Sequence, residues 1–199
     1  MNKKRICSFL FAILFCVGCC CMPASAKSLG YWWDKTTVYF ICDYTITDTG
    51  YTSAVSNAMS RWNNIKTTTG KSMVTMKLTQ NSSLTNNYIT FAESFREWVG
   101  YCDPNPTTGE LDAVTIKLSW NYNWSTSLNS NAMDVQTVVQ HELGHALGIA
   151  HCHEKEEGPG PCWSATCKSN VMYPIIDEGD RRTTLTSYDI SSYRSIYQY

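Results

Sequence analysis

The sequence lacks the features that mark several common classes of protein. It has no cluster of lysine and arginine that could follow a phosphate backbone, so binding to nucleic acid is not expected. After Cys21 there is no further long apolar run, so no membrane span is expected in the rest of the chain. Internal repeats and long linkers are absent too, which favours one domain, expected to be a monomer. Histidine is scarce as well, since the chain has four and all lie within residues 141–153.

The first 26 residues have the order of an export signal. Basic residues occupy positions 3–5, an apolar run covers positions 6–21, and Ala24-Ser25-Ala26 is a small-residue cleavage site. We therefore predict a signal peptide over residues 1–26, cut after Ala26, and a secreted mature domain over residues 27–199. The cut removes three basic residues and leaves 13 basic against 17 acidic residues, a net charge of −4.

The number of cysteines available for disulfides depends on that cut. Five of the ten cysteines lie in the predicted signal, and the mature chain keeps Cys42, Cys102, Cys152, Cys162 and Cys167. An exported chain can oxidise its cysteines, and an odd number leaves at least one free or bonded to another chain. The last three are close in sequence, which favours one local bridge. Lipid attachment at Cys19 is the alternative to cleavage after Ala26.

Apolar periodicity predicts an α+β domain with a mixed sheet. Strands are predicted at residues 36–41, 73–79, 88–92, 98–101 and 113–118, and helices at residues 51–65, 131–147 and from about 186 onward. Gly70 follows the first helix, Asn131 is the expected N-cap of the second, and Thr186-Ser187-Tyr188-Asp189 is typical of a capping box. We expect a turn at residues 103–106 and irregular structure over residues 150–176.

The segment from His141 to His151 has the spacing of a metal site. His141 and His145 are four residues apart, so on a helix their imidazoles can meet one metal ion. His151 would lie on another side of the helix if the helix continued, so the chain must stop and turn back. Gly148 is the residue that can take the positive φ such a stop requires.

Three neutral histidines leave the fourth position of a tetrahedral metal open, which is the arrangement of a catalytic zinc ion. The sequence therefore predicts one zinc ion held by His141, His145 and His151. Glu142 is next to the first ligand and can reach a water on the metal, so it is the candidate general base for amide hydrolysis. His153 is expected to be exposed or to lie behind the ligands.

Residues 141–151 taken together resemble the long zinc-binding motif of the metzincin peptidases. Asn170-Val171-Met172-Tyr173-Pro174 resembles the methionine turn of that clan, and its Met-Tyr-Pro order is similar to the matrixin branch. The tail from Leu185 to Tyr197 resembles the closing helix of matrixins. An acidic pair is usual in that helix, but here Tyr188 replaces the first acid and only Asp189 is kept.

The resemblance implies a metzincin-type catalytic domain with a twisted mixed sheet, an active-site helix, a methionine turn and a C-terminal helix. It implies a zinc-dependent endopeptidase whose protein or peptide substrate binds extended along an edge strand. Met172 would pack beneath the histidines without touching zinc, while Tyr173 and Pro174 would help to wall the pocket for the residue after the cut. The second zinc site of larger matrixins uses further histidines, which this chain does not have.

Two groups of residues and the function itself leave alternatives open. Calcium could bind the acidic residues near the predicted turn, although an exposed polar loop is favoured: Asp103, Glu110 and Asp112. Three aromatic residues could form a substrate platform, although packing is favoured: Trp120, Tyr122 and Trp124. The alternative functions are a zinc-containing surface binding module without turnover and a zinc hydrolase acting on cell-wall peptide. The presence of Glu142 argues against the first, and the methionine turn argues against the second.

Overall fold

The computed structural model describes residues 28–66, 74–93, 98–152 and 165–197. The predicted signal peptide, Gly70, Met73, His153 and Cys162 lie outside these residues. The elements in chain order are β1 (Tyr31–Trp32), β2 (Thr37–Cys42), α1 (Tyr44–Thr47), α2 (Thr52–Asn63), β3 (Thr75–Leu78), β4 (Tyr88–Ala92), β5 (Gly100–Asn105), β6 (Gly109–Glu110), β7 (Ala113–Ser119), β8 (Trp124–Ser125), β9 (Met133–Asp134), α3 (Val135–Ala146), α4 (Ala165–Lys168) and α5 (Ser187–Tyr197). Within these described ranges no helix combines the length and apolar character needed to cross a bilayer.

The main sheet has five strands in the order β3-β2-β4-β7-β5. The first four are parallel, and β5 runs antiparallel to β7 at the edge. In β7 the apolar side chains of Val114, Ile116 and Leu118 alternate with more exposed ones, and all three are buried. The predicted α+β class and mixed sheet are therefore confirmed.

Strand β5 continues through a segment where the sequence predicted a turn. Pro104 and Asn105 pair with Val114 and Ala113, so the prediction of a turn at residues 103–106 was wrong in its position. Proline has no N–H to donate, but an edge strand needs partners on one side only and tolerates it. The chain bends at residues 106–108 instead. This extension makes β5 a long edge beside the metal-site helix.

Helices α2 and α3 pack against each other on one side of the sheet. The apolar residues predicted for the first helix are all buried in α2: Ala54, Val55, Ala58, Met59 and Trp62. The Trp62 indole N–H donates to the carbonyl of Gln140 at 2.9 Å, which joins the two helices at the middle of α3. Residues 135–144 of α3 are buried on every side, so the metal-site helix is a core element.

Helix α3 begins three residues later than the predicted cap. Asp134, not Asn131, is the N-cap, because its carboxylate accepts from the backbone N–H and the hydroxyl of Thr137, both at 2.7 Å. Met133 and Asp134 instead pair with β8 as a short parallel ladder. The helix cannot begin at Asn131 because Met133 and Asp134 have extended backbone in β9, and an extended residue cannot also belong to a helical turn.

The end of α3 has the bonding pattern of a Schellman motif. The N–H of Ile149 donates to the carbonyl of Gly144 at 3.0 Å, and the N–H of Gly148 donates to that of His145 at 2.7 Å. Gly148 has φ of 81°, as the spacing of the histidines required. The turn packs against the start of the chain, because Leu29 N–H donates to the Gly148 carbonyl at 2.8 Å.

Helix α5 closes the domain and begins with the predicted capping box. The Asp189 carboxylate accepts from the N–H of Thr186 at 2.8 Å, and the Thr186 hydroxyl accepts from the N–H of Asp189 at 3.4 Å. Tyr197 at the other end accepts from the N–H of Trp33 through its hydroxyl at 3.3 Å. The Trp33 indole in turn donates to the carbonyl of Ala146 at 2.8 Å, so the segment between β1 and β2 meets the end of α5 at the end of α3.

Replacing Gly148 by alanine should destabilise the fold strongly. A Cβ at Gly148 would lie 2.2 Å from the backbone oxygen of Tyr31, in addition to the cost of positive φ. The matched control is Gly50→Ala, which has φ of 77° but open space around the added Cβ. We expect a loss in free energy of unfolding of about 1 kcal/mol for Gly50→Ala and about 3 kcal/mol or more for Gly148→Ala. Urea denaturation measures both, and equal losses would contradict the close approach.

Candidate active site

Three histidine side chains meet at the end of α3. The Nε2 atoms of His141 and His145 are 3.1 Å apart, those of His145 and His151 are 3.0 Å apart, and those of His141 and His151 are 3.2 Å apart. Their imidazole rings are close to perpendicular in two of the three pairs. In the described part of the chain this trio is the group of three that could hold a metal ion. The structure thus brings all three predicted ligands to one point.

Backbone carbonyls fix the orientation of two of these rings. The Nδ1 atom of His141 lies 2.7 Å from the carbonyl oxygen of Val171, and that of His145 lies 2.8 Å from the carbonyl oxygen of Ile149. A carbonyl can only accept, so each Nδ1 carries the proton and each Nε2 presents a lone pair. These two lone pairs repel each other, and a metal ion bound between the rings would remove that repulsion.

The donor set fits zinc. Zinc binds imidazole nitrogen at about 2.0–2.1 Å, which places tetrahedral nitrogen neighbours about 3.3 Å apart, close to the separations seen here. Burial and the neighbouring histidines lower the pKa of His141, and burial lowers that of His145 to about 3. Both rings are therefore neutral at pH 7 and available as ligands.

Glu142 projects from the same helix into the cleft and is buried at 5% exposure. Burial raises the pKa of its carboxyl to about 8, and a hydrogen bond from the backbone N–H of Cys102 opposes part of that rise. Strand β5 passes very close to it, since a Cβ at Gly100 would lie 2.6 Å from Glu142 Oε1. A carboxyl in such a place exchanges a proton more readily near neutral pH than an exposed glutamate does.

The methionine turn lies beneath the histidines as the resemblance implied. Met172 is fully buried, and a Cβ at Gly144 would lie 2.2 Å from its sulfur, so the glycine of the motif makes room for it. The Asp189 carboxylate accepts from the backbone N–H groups of Val171 and Met172 at 3.1 and 3.2 Å. Helix α5 therefore holds the turn whose Val171 carbonyl orients His141.

The histidines and Glu142 lie in a cleft of about 850 Å³. Pro174 lines this cleft as expected, together with Ile175, Ile176 and Asp177. Tyr173 is not among the described lining residues, because it is buried at 3% exposure behind them. Of the two residues expected to wall the pocket, Pro174 thus lines the cleft and the Tyr173 ring does not.

The remaining candidates have structural partners. The Lys117 ammonium donates to the Asp103 carboxylate at 2.7 Å, and in the described chain Asp103, Glu110 and Asp112 do not form a group that could hold a metal. Trp120 stacks on Phe91 with ring centroids 4.3 Å apart. Trp124 meets the same ring edge-on at 5.3 Å. Of the three aromatic residues only Tyr122 lines the cleft.

Several residues that organise the site were not identified from the sequence. The carbonyls of Ile149 and Val171 and the N–H of Cys102 are backbone groups, and backbone groups leave no residue signal. Gly100 is one of eleven glycines, and the residues next to it in the sequence do not indicate that its backbone lies close to Glu142. Asp189 was noted as the one acid kept in the last helix, but its two bonds to the methionine turn needed the fold.

Comparison with known proteins gives one family match and several partial relatives. A family model described as matrixin matches residues 31–198. Metalloendoproteinase 2-MMP of Arabidopsis thaliana is 32% identical over 66 residues, which are 33% of this chain and 14% of that protein. Metalloendoproteinase 4-MMP of the same plant is 25% identical over 93 residues, 47% of this chain and 23% of that protein. The matched segments thus span less than a quarter of these relatives.

A solved structure has a similar fold. The structure of myroilysin covers 84% of this chain and 96% of its own, with a TM-score of 0.50 and 14% identity. At that identity the likeness concerns the fold alone.

Zinc should stabilise the folded chain through the three histidines. At a zinc concentration about 1,000 times the Kd, binding adds about 4 kcal/mol to the free energy of unfolding, or about 10 °C in Tm for a domain of this size. His145→Ala should lose most of this shift, because two imidazoles remain. His153→Ala is the control and should keep the shift. Thermal melts with chelator and with added zinc measure it, and a shift of equal size in His145→Ala would refute the assignment.

Proposed function

Since the chain belongs to the matrixin family, as its motifs predicted, we propose that it is a secreted zinc-dependent endopeptidase. The observation that carries the proposal is the convergence of three imidazole Nε2 atoms beside a buried glutamate in an open cleft. His141, His145 and His151 would hold the zinc ion. Glu142 would act as general base.

Zinc, when bound, supplies the Lewis acidity that makes water nucleophilic near neutral pH and polarises a scissile carbonyl. Glu142, which lies next to a zinc ligand in the cleft, removes the proton from the attacking water as general base. The same carboxyl then donates the proton to the departing amine. The N–H of Cys102 holds the carboxylate in place through both transfers.

Strand β5 is the proposed docking edge for the substrate. It is the edge strand of the sheet, and its residues Gly100, Tyr101 and Cys102 line the cleft beside Glu142. An extended peptide could add to this edge through main-chain hydrogen bonds, which recognise any sequence. Binding of that kind places an internal peptide bond at the metal and favours endoproteolysis.

Glu142→Gln should strongly reduce catalysis while zinc binding is kept. The amide cannot accept and return a proton, so hydrolysis of an unfolded protein by the chain of residues 27–199 should fall by about 10²–10⁴-fold. Glu110→Gln, at an exposed position in β6, is the matched control and should keep full activity. Metal analysis should give one zinc per chain for all three proteins, and a chelator should stop wild-type cleavage.

Three outcomes would contradict this proposal. Equal cleavage by wild type and Glu142→Gln would remove Glu142 from the mechanism. A wild-type chain that binds zinc but cleaves no protein would favour the surface binding module, and cleavage confined to cell-wall peptide would favour the amide hydrolase.

The exported protein should begin at Lys27 and carry one local disulfide. Of the three cysteines close in sequence, Cys152 is a free thiol that donates to the carbonyl of Cys167, which leaves Cys162 and Cys167 to pair. The intact mass of protein from the culture medium tests the predicted start at Lys27. Mass spectrometry of a digest prepared without reductant tests the predicted disulfide. A mass including residues 1–26, a lipid on Cys19, or a free Cys162 thiol would each contradict the corresponding part.

A further inference from the structure

One side of the cleft is formed by a segment without helix or strand. Residues 174–177, here called the cleft wall, contribute Pro174, Ile175, Ile176 and Asp177 to the cleft lining. Among the described residues no backbone N–H donates to the carbonyl of Tyr173 or Ile175. Such a segment needs another source of order if it is to give a pocket a fixed shape.

The guanidinium of Arg182 supplies that order. Its Nη1 donates to the carbonyls of Asn170 and Tyr173 at 3.5 and 3.4 Å, and its Nη2 makes a short bond to the carbonyl of Ile175. The group also lies over the ring of Tyr173, 5.4 Å from its centroid. One planar cation thus binds a carbonyl of the cleft wall, at Ile175, and two carbonyls of the chain that leads into it, at Asn170 and Tyr173.

Arg182 is itself fixed to the metal-site helix. Its backbone N–H donates to the hydroxyl of Thr137 at 2.9 Å, in the first turn of α3 and four residues before His141. Its Nη2 also pairs with the Asp180 carboxylate at 2.6 Å. The side chain is 9% exposed, so these bonds are shielded from water. The cleft wall is therefore tied through one residue to the helix that carries two zinc ligands.

We propose that Arg182 is a positioning residue that sets the distance between the cleft wall and the zinc ligands and thereby determines which substrate side chains the pocket accepts. This rests on the proposed peptidase function. A shift of about 1 Å in a group that positions substrate can change the rate about 10²-fold, so a loosened wall should reduce discrimination between peptides. Arg182 makes no described hydrogen bond to the metal ligands or to Glu142, although its charge acts on His141. Arg182→Lys keeps that charge and should therefore spare zinc binding.

The chain offers a matched control at the next position. Arg181 is 37% exposed and its nearest acidic partner is Asp134 at 3.7 Å, so Arg181→Met removes the same charge without releasing the carbonyls. Arg182→Met removes all three bonds, and Arg182→Lys keeps the charge but loses the planar fork. Zinc content and Tm are measured for every variant, because a positioning role requires folded, metal-loaded protein.

Cleavage of a peptide library that varies the residue after the cut provides the first readout. For Arg182→Met we expect the ratio of kcat/KM between the best and worst peptides to fall about 10-fold, with KM changing more than kcat. The ratio for Arg182→Lys should lie between those of Arg182→Met and wild type, and the ratio for Arg181→Met should equal that of wild type. An unchanged profile in zinc-loaded Arg182→Met, or an equal change in Arg181→Met, would overturn the proposal.

Amide hydrogen exchange provides a second readout that needs no catalysis. Residues 173 and 175–177 should exchange about 10-fold faster in Arg182→Met and Arg182→Lys than in wild type or Arg181→Met, while β4 and β7 stay protected. Equal exchange at these residues in all four proteins would overturn the role of Arg182. If wild type cleaves no peptide, the proposed function fails, and the exchange comparison still decides whether Arg182 orders the wall.

Discussion

Three imidazole nitrogens about 3 Å apart make a site that a cation would complete, and the site depends on a rigid frame that holds the rings in this arrangement. The frame comes from parts of the chain that are distant in sequence. Ile149 supplies a carbonyl from the turn that ends α3, and Val171 supplies another from the methionine turn. These two acceptors keep the protons on Nδ1, so the centre depends on backbone positions as much as on the histidines themselves. The positive φ of Gly148 serves the same need, because it lets one turn return His151 and present the Ile149 carbonyl to His145.

Glu142 lies where the requirements of the metal site and of the sheet meet. The helix places its carboxylate one residue from a ligand, and the edge strand covers that carboxylate so closely that Gly100 has no room for a side chain. Burial makes the proton more tightly held, while the N–H of Cys102 favours the charged form. The strand proposed to receive the substrate therefore also contacts the proposed general base, so substrate binding and proton transfer would depend on the same stretch of backbone.

Local patterns predicted most of the fold and the metal ligands. Periodicity was enough for β7 and α2, because their apolar residues face one core, and fixed spacing was enough for the three histidines. The predictions were wrong where a contact with another part of the fold determined which of two locally possible conformations the chain adopts. Pro104 is typical of turns but lies in a strand because that strand is at an edge, and Asn131 is a good cap but Asp134 lies in the position that reaches Thr137. The bonds from Arg182 join residues up to twelve apart through carbonyls, which no sequence pattern records.

The bonds around the end of α3 also have a consequence for the order in which the molecule is completed. Trp33 near the start of the described chain binds both the Ala146 carbonyl and the Tyr197 hydroxyl, and Asp189 fixes the turn that orients His141. A growing chain that has not yet reached residue 189 already contains the three histidines and Glu142. It lacks the carboxylate that anchors the methionine turn, so its ligands have no fixed geometry. The connectivity of the fold therefore delays an organised site until α5 has been synthesised.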